Sequence, residues 1–414
     1  MKKFITLLLT VVLAVCTLGL VGCGKDDKVA ALICLHGEGS SYDKNFIDAF
    51  KAACEAKGLT EDQYTIVVDI PEDTACYDKA AEFADAGYKA IFADSFGHEK
   101  FMIQAAKEFP EVQFCHATGT AGGFLTTTST EDDAPANFHN AFASIYEGRY
   151  LAGVAAGLKL IELYGDDITN DEAKIGYVGA WPFAEVKSGL TSFYLGVKSI
   201  VPNTTMEVRF TNSWYDPVAE QTAAEALIDG GAKLVSGHAD SYGVPTACKN
   251  AGIPNVFYNG TTNEDTFVIA SKINWQPYFE HMLDGVMKED AEIVKDYCGT
   301  LATGSVEITA LGNAAAEGTQ AKLDAIKTKL INGEIKVFDC STFTVGGNAL
   351  TEYNADVIDV VGPDGKNTYE PDTNVIKTAG GVTYFAESEF RSAPYFDIII
   401  DGITVGADVV SPAE

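Results

Sequence analysis

Beyond its N-terminal leader the chain alternates two kinds of segment. Some are short runs of consecutive apolar or β-branched residues: Ala30–Leu35, Tyr64–Asp69, Lys89–Ala93 and Val112–Ala117. Between them, in Asp43–Gly58, Cys76–Gly87 and His98–Phe109, apolar residues recur every three or four positions. Runs without polar alternation, spaced by helical periods, predict parallel strands covered by helices on both faces. Asn140–Leu160 carries a continuous apolar stripe and predicts one long helix. The strand–helix rhythm then restarts with Lys174–Gly179, Thr205–Phe210, Lys233–Gly237 and Pro254–Tyr258, and Asn274–Met287 follows as a further helix. Two successive α/β halves, each a doubly wound parallel sheet, are therefore expected. From about residue 335 the chain turns rich in Gly, Thr, Asn and Asp. Short β-like pieces there, such as Lys336–Val345 and Phe396–Asp401, predict extra strands and loops packed on one lobe.

The leader changes the picture of location. Two lysines, an apolar run from Phe4 to Val21 and then Leu20-Val21-Gly22-Cys23 have the order of an export signal. The run is long enough for a membrane helix, but the tetrapeptide resembles the lipobox of bacterial lipoproteins. On that reading residues 1–22 are removed, Cys23 carries lipid, and residues 23–28 form a polar tether, leaving an extracytoplasmic protein touching the membrane only through its anchor.

Charge removes whole classes of partner. Lys and Arg number 29 against 59 Asp and Glu, a net charge of −30. Such a chain repels nucleic acid and anionic lipid surfaces. Seven cysteines lie beyond Cys23, scattered and without C-x-x-C, which matches neither a zinc site nor a disulfide framework. Cys34 and Cys115 read as core residues, and neither a metal nor a cofactor is expected.

In parallel sheets ligands bind beyond the carboxyl ends of the strands. Those ends collect aromatic residues: Phe46, Phe96, Trp181, Phe183, Trp214, Tyr215 and Tyr242, with Trp275 opening the late helix. Asp43, Ser95, Thr118, His238, Asp240, Ser241 and Asn259 accompany them. From Asp94 onward these ends carry neither Lys nor Arg, and Lys44 is the exception before it. A phosphate or carboxylate ligand would ordinarily be met by Arg or a glycine-rich anion loop. Flat apolar faces with neutral or acidic hydrogen-bonding groups suit an uncharged planar ring with polar edges, such as a purine, or a sugar. Phe46, Trp181 and Trp275 are expected in the aromatic walls, with lobe packing the alternative for any one of them.

The segment Ala239–Gly243 admits three readings. It is a loose version of a nucleophile elbow, which would make Ser241 a hydrolase serine. However, the only later histidine is His281, inside an apolar-striped helix. Asp240 or Ser241 could instead cap the following helix. The third reading is ligand binding at the mouth of a cleft, with Asp240 the foremost candidate.

Several segments resemble the basic membrane protein family, lipoproteins that serve ABC importers. They are Tyr42–Phe50, Phe92–Gly119, Asn137–Gly157, Ile175–Pro202, Asn212–Gly252 and Asn274–Gly285. The resemblance implies a type I periplasmic-binding-protein fold, with two lobes joined by a multi-strand hinge. It divides the chain into residues 29–118 plus about 272–330, and residues 119–271 plus about 331–414. It implies a monomeric, non-enzymatic receptor that passes a purine nucleoside or purine base to a membrane permease, with Phe46 stacking on the base. The same fold could take a sugar or a small signal molecule. Three departures concern family aspartates: Leu35 and His36 stand near the place of one, Thr118 replaces another, and Asn259 stands for the one that binds ribose. Lys272 lies near, but out of register with, a family lysine. These departures leave a free base or a modified nucleoside nearly as open as a nucleoside.

Overall fold

The computed structural model describes residues 27–120, 134–357 and 373–409; Cys23 and the leader lie outside them. The apolar runs become parallel strands, because each is covered on both faces and needs no polar side. The first sheet is built from β1 (Ala30–Ile33), β2 (Tyr64–Val67), β3 (Ala90–Ala93), β4 (Gln113–Ala117) and β5 (Phe138–Ala143). The second is built from β6 (Lys174–Gly179), β7 (Thr205–Phe210), β8 (Val235–Gly237), β9 (Asn255–Tyr258) and β10 (Phe267–Ile273). Two later strands, β11 (Asp296–Gly299) and β12 (Val306–Ile308), add one edge to each sheet. β11 runs parallel to β5, whereas β12 runs antiparallel to β10. The small antiparallel pairs β13 (Asn354–Ala355) with β14 (Thr373–Asn374) and β15 (Ile376–Ala379) with β16 (Val382–Phe385) decorate the tail. Finally β17 (Ile403–Val405) pairs parallel with β7 at the far edge of the second sheet.

The helices alternate with the strands: α1 (Ser41–Ala56), α2 (Thr74–Asp85), α3 (Glu99–Glu108), α4 (Ile145–Tyr164), α5 (Ala184–Lys198), α6 (Pro217–Asp229), α7 (Gly243–Ala251), α8 (Gln276–Met287) and α9 (Thr319–Ile331). Two lobes result, and among the described residues before the tail the chain passes between them three times: after β5, after β10 and between β11 and β12. The crossovers are bonded to one another: Ser144 N–H donates to Gly299 O at 2.8 Å, and Asn274 N–H to Ser305 O at 2.8 Å. In the second lobe α4 and α5 touch backbone to backbone. A Cβ on Gly153 would stand 2.1 Å from Phe193 O, and one on Gly196 2.2 Å from Tyr150 O. Only glycine permits that approach.

Three sequence expectations change. Asn140–Leu160 is not one helix, for Phe138–Ala143 is a strand of the first sheet and α4 begins at Ile145. All six residues of that strand are buried, so its apolar run merges with the stripe of the helix. Neither Lys336–Val345 nor Phe396–Asp401 forms a strand beyond isolated bridges; the former buries Phe338 and Phe343, and the latter Phe396 and Ile400, as packing residues. The tail also does not rest on one lobe. Ser392 donates to Asp296 and accepts from Asn140, both on strands of the first sheet, while Lys187 of the second lobe holds Asp397 at 2.5 Å.

The core cysteines behave as expected. Cys34 and Cys115 are fully buried, and all seven cysteines among the described residues are free thiols.

Candidate functional site

The carboxyl ends of both sets of strands meet at a cavity of about 280 Å³ between the lobes. The first lobe supplies Leu35, Tyr42, Asp43, Ser95, Phe96, Thr118 and Thr120. The second supplies Pro182, Phe183, Ala184, Glu185, Trp214, His238, Asp240 and Tyr258, and the tail adds Arg391, Ala393, Pro394 and Asp397. The lobes touch across it. Ser41 donates its N–H to Asp240 O at 2.9 Å, and Phe96 lies 5.9 Å from Phe183 between ring centroids.

Local chemistry fixes each lining group. Ser40 caps α1 by accepting the N–H of Asp43, and its hydroxyl donates back to the Asp43 carboxylate at 2.6 Å. His36 N–H donates to the same carboxylate at 2.7 Å. Tyr42 donates to Asp94 O at 2.8 Å, and Ser95 to Glu72 at 2.6 Å. Thr118 ends β4 with φ +66°, a conformation that costs a β-branched residue about 1–3 kcal/mol.

His238 and Glu185 form the polar centre of the second lobe's wall. His238 Nε2 lies 2.8 Å from Glu185, and Tyr177 OH lies 3.2 Å from Nδ1. Burial holds the imidazole pKa below its ordinary value, outweighing the attraction of Glu185, and in the neutral ring Nε2–H can donate to Glu185 while Nδ1 accepts from Tyr177. Burial pushes the Glu185 pKa up, but the bond to His238 and the charge of Arg149 prevail and lower it. Arg149 itself is buried 3.6 Å from the centroid of the Tyr258 ring, a cation–π contact beneath the site.

Asp240 differs from its neighbours. It is 6% exposed, and its bonds are made by its backbone, from its own N–H to Trp214 O and to its carbonyl from Ser41. Burial, then Asp43, Glu220, Glu185 and Asp94, raise its carboxyl pKa well above the ordinary range. A buried carboxyl that lines a cavity and has no hydrogen bond among the described residues is a group awaiting a donor.

Seven of the twelve residues singled out in the sequence line this cavity: Asp43, Ser95, Phe96, Thr118, Trp214, His238 and Asp240. The other five do not. Trp181 stacks on Phe183 at 5.7 Å and 8°, backing that wall. Phe46 and Trp275 stack on each other at 4.3 Å in the first lobe's core, where α1 packs on α8. Ser241 accepts the N–H of Gly243 at 3.1 Å just before α7 and is buried outside the cavity lining. His281 is engaged elsewhere, accepting from Val294 N–H at 2.9 Å. Asn259 turns back to accept the N–H of Ile273 at 3.2 Å. Its φ of +55° suits asparagine, which tolerates the left-handed region. Sequence reasoning passed over Glu185, in the first turn of α5, and Tyr258, at the end of β9, and had no local signal for the tail residues.

One donor set could suggest a metal. Cys34, Asp43 and Asp94 offer ligand atoms within 4.8 Å of one another. Burial and Asp94 raise the Cys34 thiol pKa, while burial and Asp43 raise that of Asp94. Raised pKa values on Cys34 and Asp94 weaken their hold on a cation, since ligand atoms must be deprotonated to bind it.

The buried histidines set a pH dependence. Burial lowers the His116 pKa to about 3 and also lowers that of His238. The unfolded chain protonates both near 6.5, so their contribution is complete above that pH and is lost as pH falls toward the folded values. At pH 5.5 His116 alone should cost the fold about 1.4 kcal/mol relative to pH 7.5. Urea unfolding at the two pH values, on wild type and His116→Gln, should show a smaller difference in the variant.

Comparison with known proteins agrees with the architecture. A family model described as ABC transporter substrate-binding protein, PnrA-like, matches residues 34–340. A purine-binding protein of Brucella abortus is 30% identical over 299 residues, covering 68% of this chain and 77% of its own length. A Haloferax volcanii protein assigned as a glucose-binding component of an ABC transporter is 27% identical over 302 residues, 71% of this chain and 70% of its own. Among solved structures, an ABC transporter solute-binding protein from Conexibacter woesei superposes with a TM-score of 0.58 at 20% identity, over 75% of this chain and 98% of its own. Two parallel-sheet lobes, a cavity at their strand ends and a match over most of the chain lead to one assignment: this chain belongs to the Bmp family of ABC transporter substrate-binding proteins.

Proposed function

We propose that this protein is the lipid-anchored, monomeric receptor of an ABC importer and captures a purine base or nucleoside between its lobes, with no catalytic step. The observation that carries the reading is the unbonded, buried carboxyl of Asp240 in a cavity walled by Phe96, Phe183, Trp214 and Tyr258. Aromatic faces stack on a purine, each stack contributing on the order of 1–3 kcal/mol. Carboxyl groups of Asp43, Glu185 and Asp240 can accept its N–H groups, and His238, Ser95 and Thr118 complete the polar edge. The purine-binding relative supports the same ligand class. The lobes close on the ligand about the three crossovers.

A sugar is the second reading, favoured by the glucose-binding relative and by carboxylates that also suit hydroxyl groups. A thermal-shift panel of purine bases, nucleosides and hexoses separates the two. A purine at 100 times its dissociation constant should stabilise the fold by about 2.7 kcal/mol. A shift with hexoses alone would replace the purine reading.

Anchoring rests on the order of lysines, apolar run and Leu-Val-Gly-Cys in the leader. Among the described residues no helix is long and apolar enough to cross a membrane. Cys23→Ser should leave an unprocessed precursor or release the protein from the membrane fraction. A cleaved Cys23→Ser protein still membrane-bound would exclude the anchor.

A further inference from the structure

Behind the second lobe's wall lies a cation that the fold leaves under-bonded. Arg149, on α4, is 1% exposed. Its Nη1 donates to Gly237 O at 3.0 Å, whereas Nε and Nη2 have no partner among the described residues. No carboxylate among those residues pairs with it. A charge buried without a counter-ion costs stability, so packing alone gives no reason for this guanidinium.

Its contacts lead to the cavity. The guanidinium carbon stands 3.6 Å from the centroid of the Tyr258 ring, and the His238 ring lies 4.9 Å from the same ring. Tyr258 and His238 both line the cavity, and Arg149 does not. Gly237, whose carbonyl Arg149 holds, ends β8 and immediately precedes His238. The guanidinium and the imidazole also meet over Gly189 of α5, where a Cβ would stand 2.9 Å from His238 and 3.6 Å from Arg149 Nε. Glu185, one turn earlier on the same face of α5, is the partner of His238 Nε2 at 2.8 Å. Arg149 thus reaches the ligand wall at three points: the Tyr258 ring, the end of β8 and the flank of His238.

Charge works in the same direction. His238 is surrounded by Glu185 of α5, Tyr177 of β6, Tyr258 of β9 and Arg149 of α4. Burial lowers the imidazole pKa, and Arg149 lowers it further against the pull of Glu185. Burial raises the pKa of Glu185, while His238 and Arg149 lower it. A neutral imidazole beside an ionised carboxylate has one order of donor and acceptor.

Resting on the reading of the cavity as the purine site, we propose that Arg149 is a positioning residue for ligand binding. It fixes the Tyr258 ring for stacking, and it holds the His238–Glu185 pair in the order that leaves Glu185 an acceptor for a purine N–H.

Arg149→Met is close in volume and removes the charge, and apolar packing in place of an unpaired buried cation should leave the protein folded. In the ligand-free protein, imidazole NMR assigned with His238→Gln should show the His238 midpoint rising by about one unit or more in Arg149→Met, and staying near the wild-type value in Arg149→Lys. Calorimetric titration with adenine, hypoxanthine, inosine and glucose follows binding. For the tightest of these, Arg149→Met should weaken affinity about tenfold near pH 6 and less near pH 8, where the imidazole is neutral again. Gly189→Ala displaces the imidazole with Arg149 in place and should weaken binding at both pH values, so it tests the same pair should Arg149→Met not fold. A His238 midpoint unmoved in folded Arg149→Met overturns the proposal, as does an affinity loss equal at both pH values. A midpoint that moves with affinity unchanged overturns the role in binding. Wild type that binds none of the three purine compounds overturns the purine reading, and the His238 midpoint still decides what Arg149 does to the wall.

Discussion

Asp240→Ala should weaken purine binding by roughly 1.5–3 kcal/mol, the range for a hydrogen bond to a charged group, without lowering the melting temperature of the ligand-free protein. The two halves of this expectation have one cause. Among the described residues none donates a hydrogen bond to this carboxyl, and it is disfavoured in its charged form by burial and by Asp43, Glu220, Glu185 and Asp94. Its removal therefore costs the fold little and relieves repulsion. A ligand N–H reverses the balance, because it favours the ionised carboxylate. Affinity should then rise with pH through the raised pKa of the free group, and titrations at several pH values read the effect. An Asp240→Ala protein that binds as wild type but melts earlier would make Asp240 a structural residue.

Trp275→Ala should act in the opposite way, costing about 3–5 kcal/mol of stability as a large-to-small change in a packed core. Trp275 is 1% exposed and stacks on Phe46, which is fully buried and also packs against Phe92 and Phe279. Removing the indole leaves a void that Phe46, Phe92 and Phe279 cannot fill without leaving their own contacts. Urea unfolding would measure the loss. Affinity corrected for the folded fraction should change far less than in Asp240→Ala. A stable Trp275→Ala protein with lost purine binding would return this ring to the ligand wall.

The contrast between these residues shows where sequence reading stops. The strands were legible because an unbroken apolar run has one stable use in a doubly wound sheet, and β6 and β7 have the bounds their patterns predict. The cavity-lining strand ends were legible too, since Asp43, Ser95, Thr118, His238 and Asp240 follow such runs at the carboxyl edges of the sheets. Aromatic rings at the same places were ambiguous. Phe96 turns into the cavity and Phe46 into the core, and nothing in their local sequence distinguishes a ring that stacks on ligand from one that stacks on Trp275. The strand Phe138–Ala143 was hidden by the apolar stripe of the helix after it. Arg391, Pro394 and Asp397 were hidden by distance, because they reach the cavity through ties to Asp296 and Lys187 that no periodicity encodes.

Those ties bear on the order in which the chain can fold. Ser392 meets Asn140 across 252 positions, and β17 completes the sheet edge at β7 from nearly as far. Contacts this distant in sequence form late, since the entropy of closing so long a loop is lost before they give anything back. A chain still being synthesised that has yet to deliver residues 392 to 405 has an open edge at β7 and an untied β11, so both lobes stay incomplete until that late segment docks.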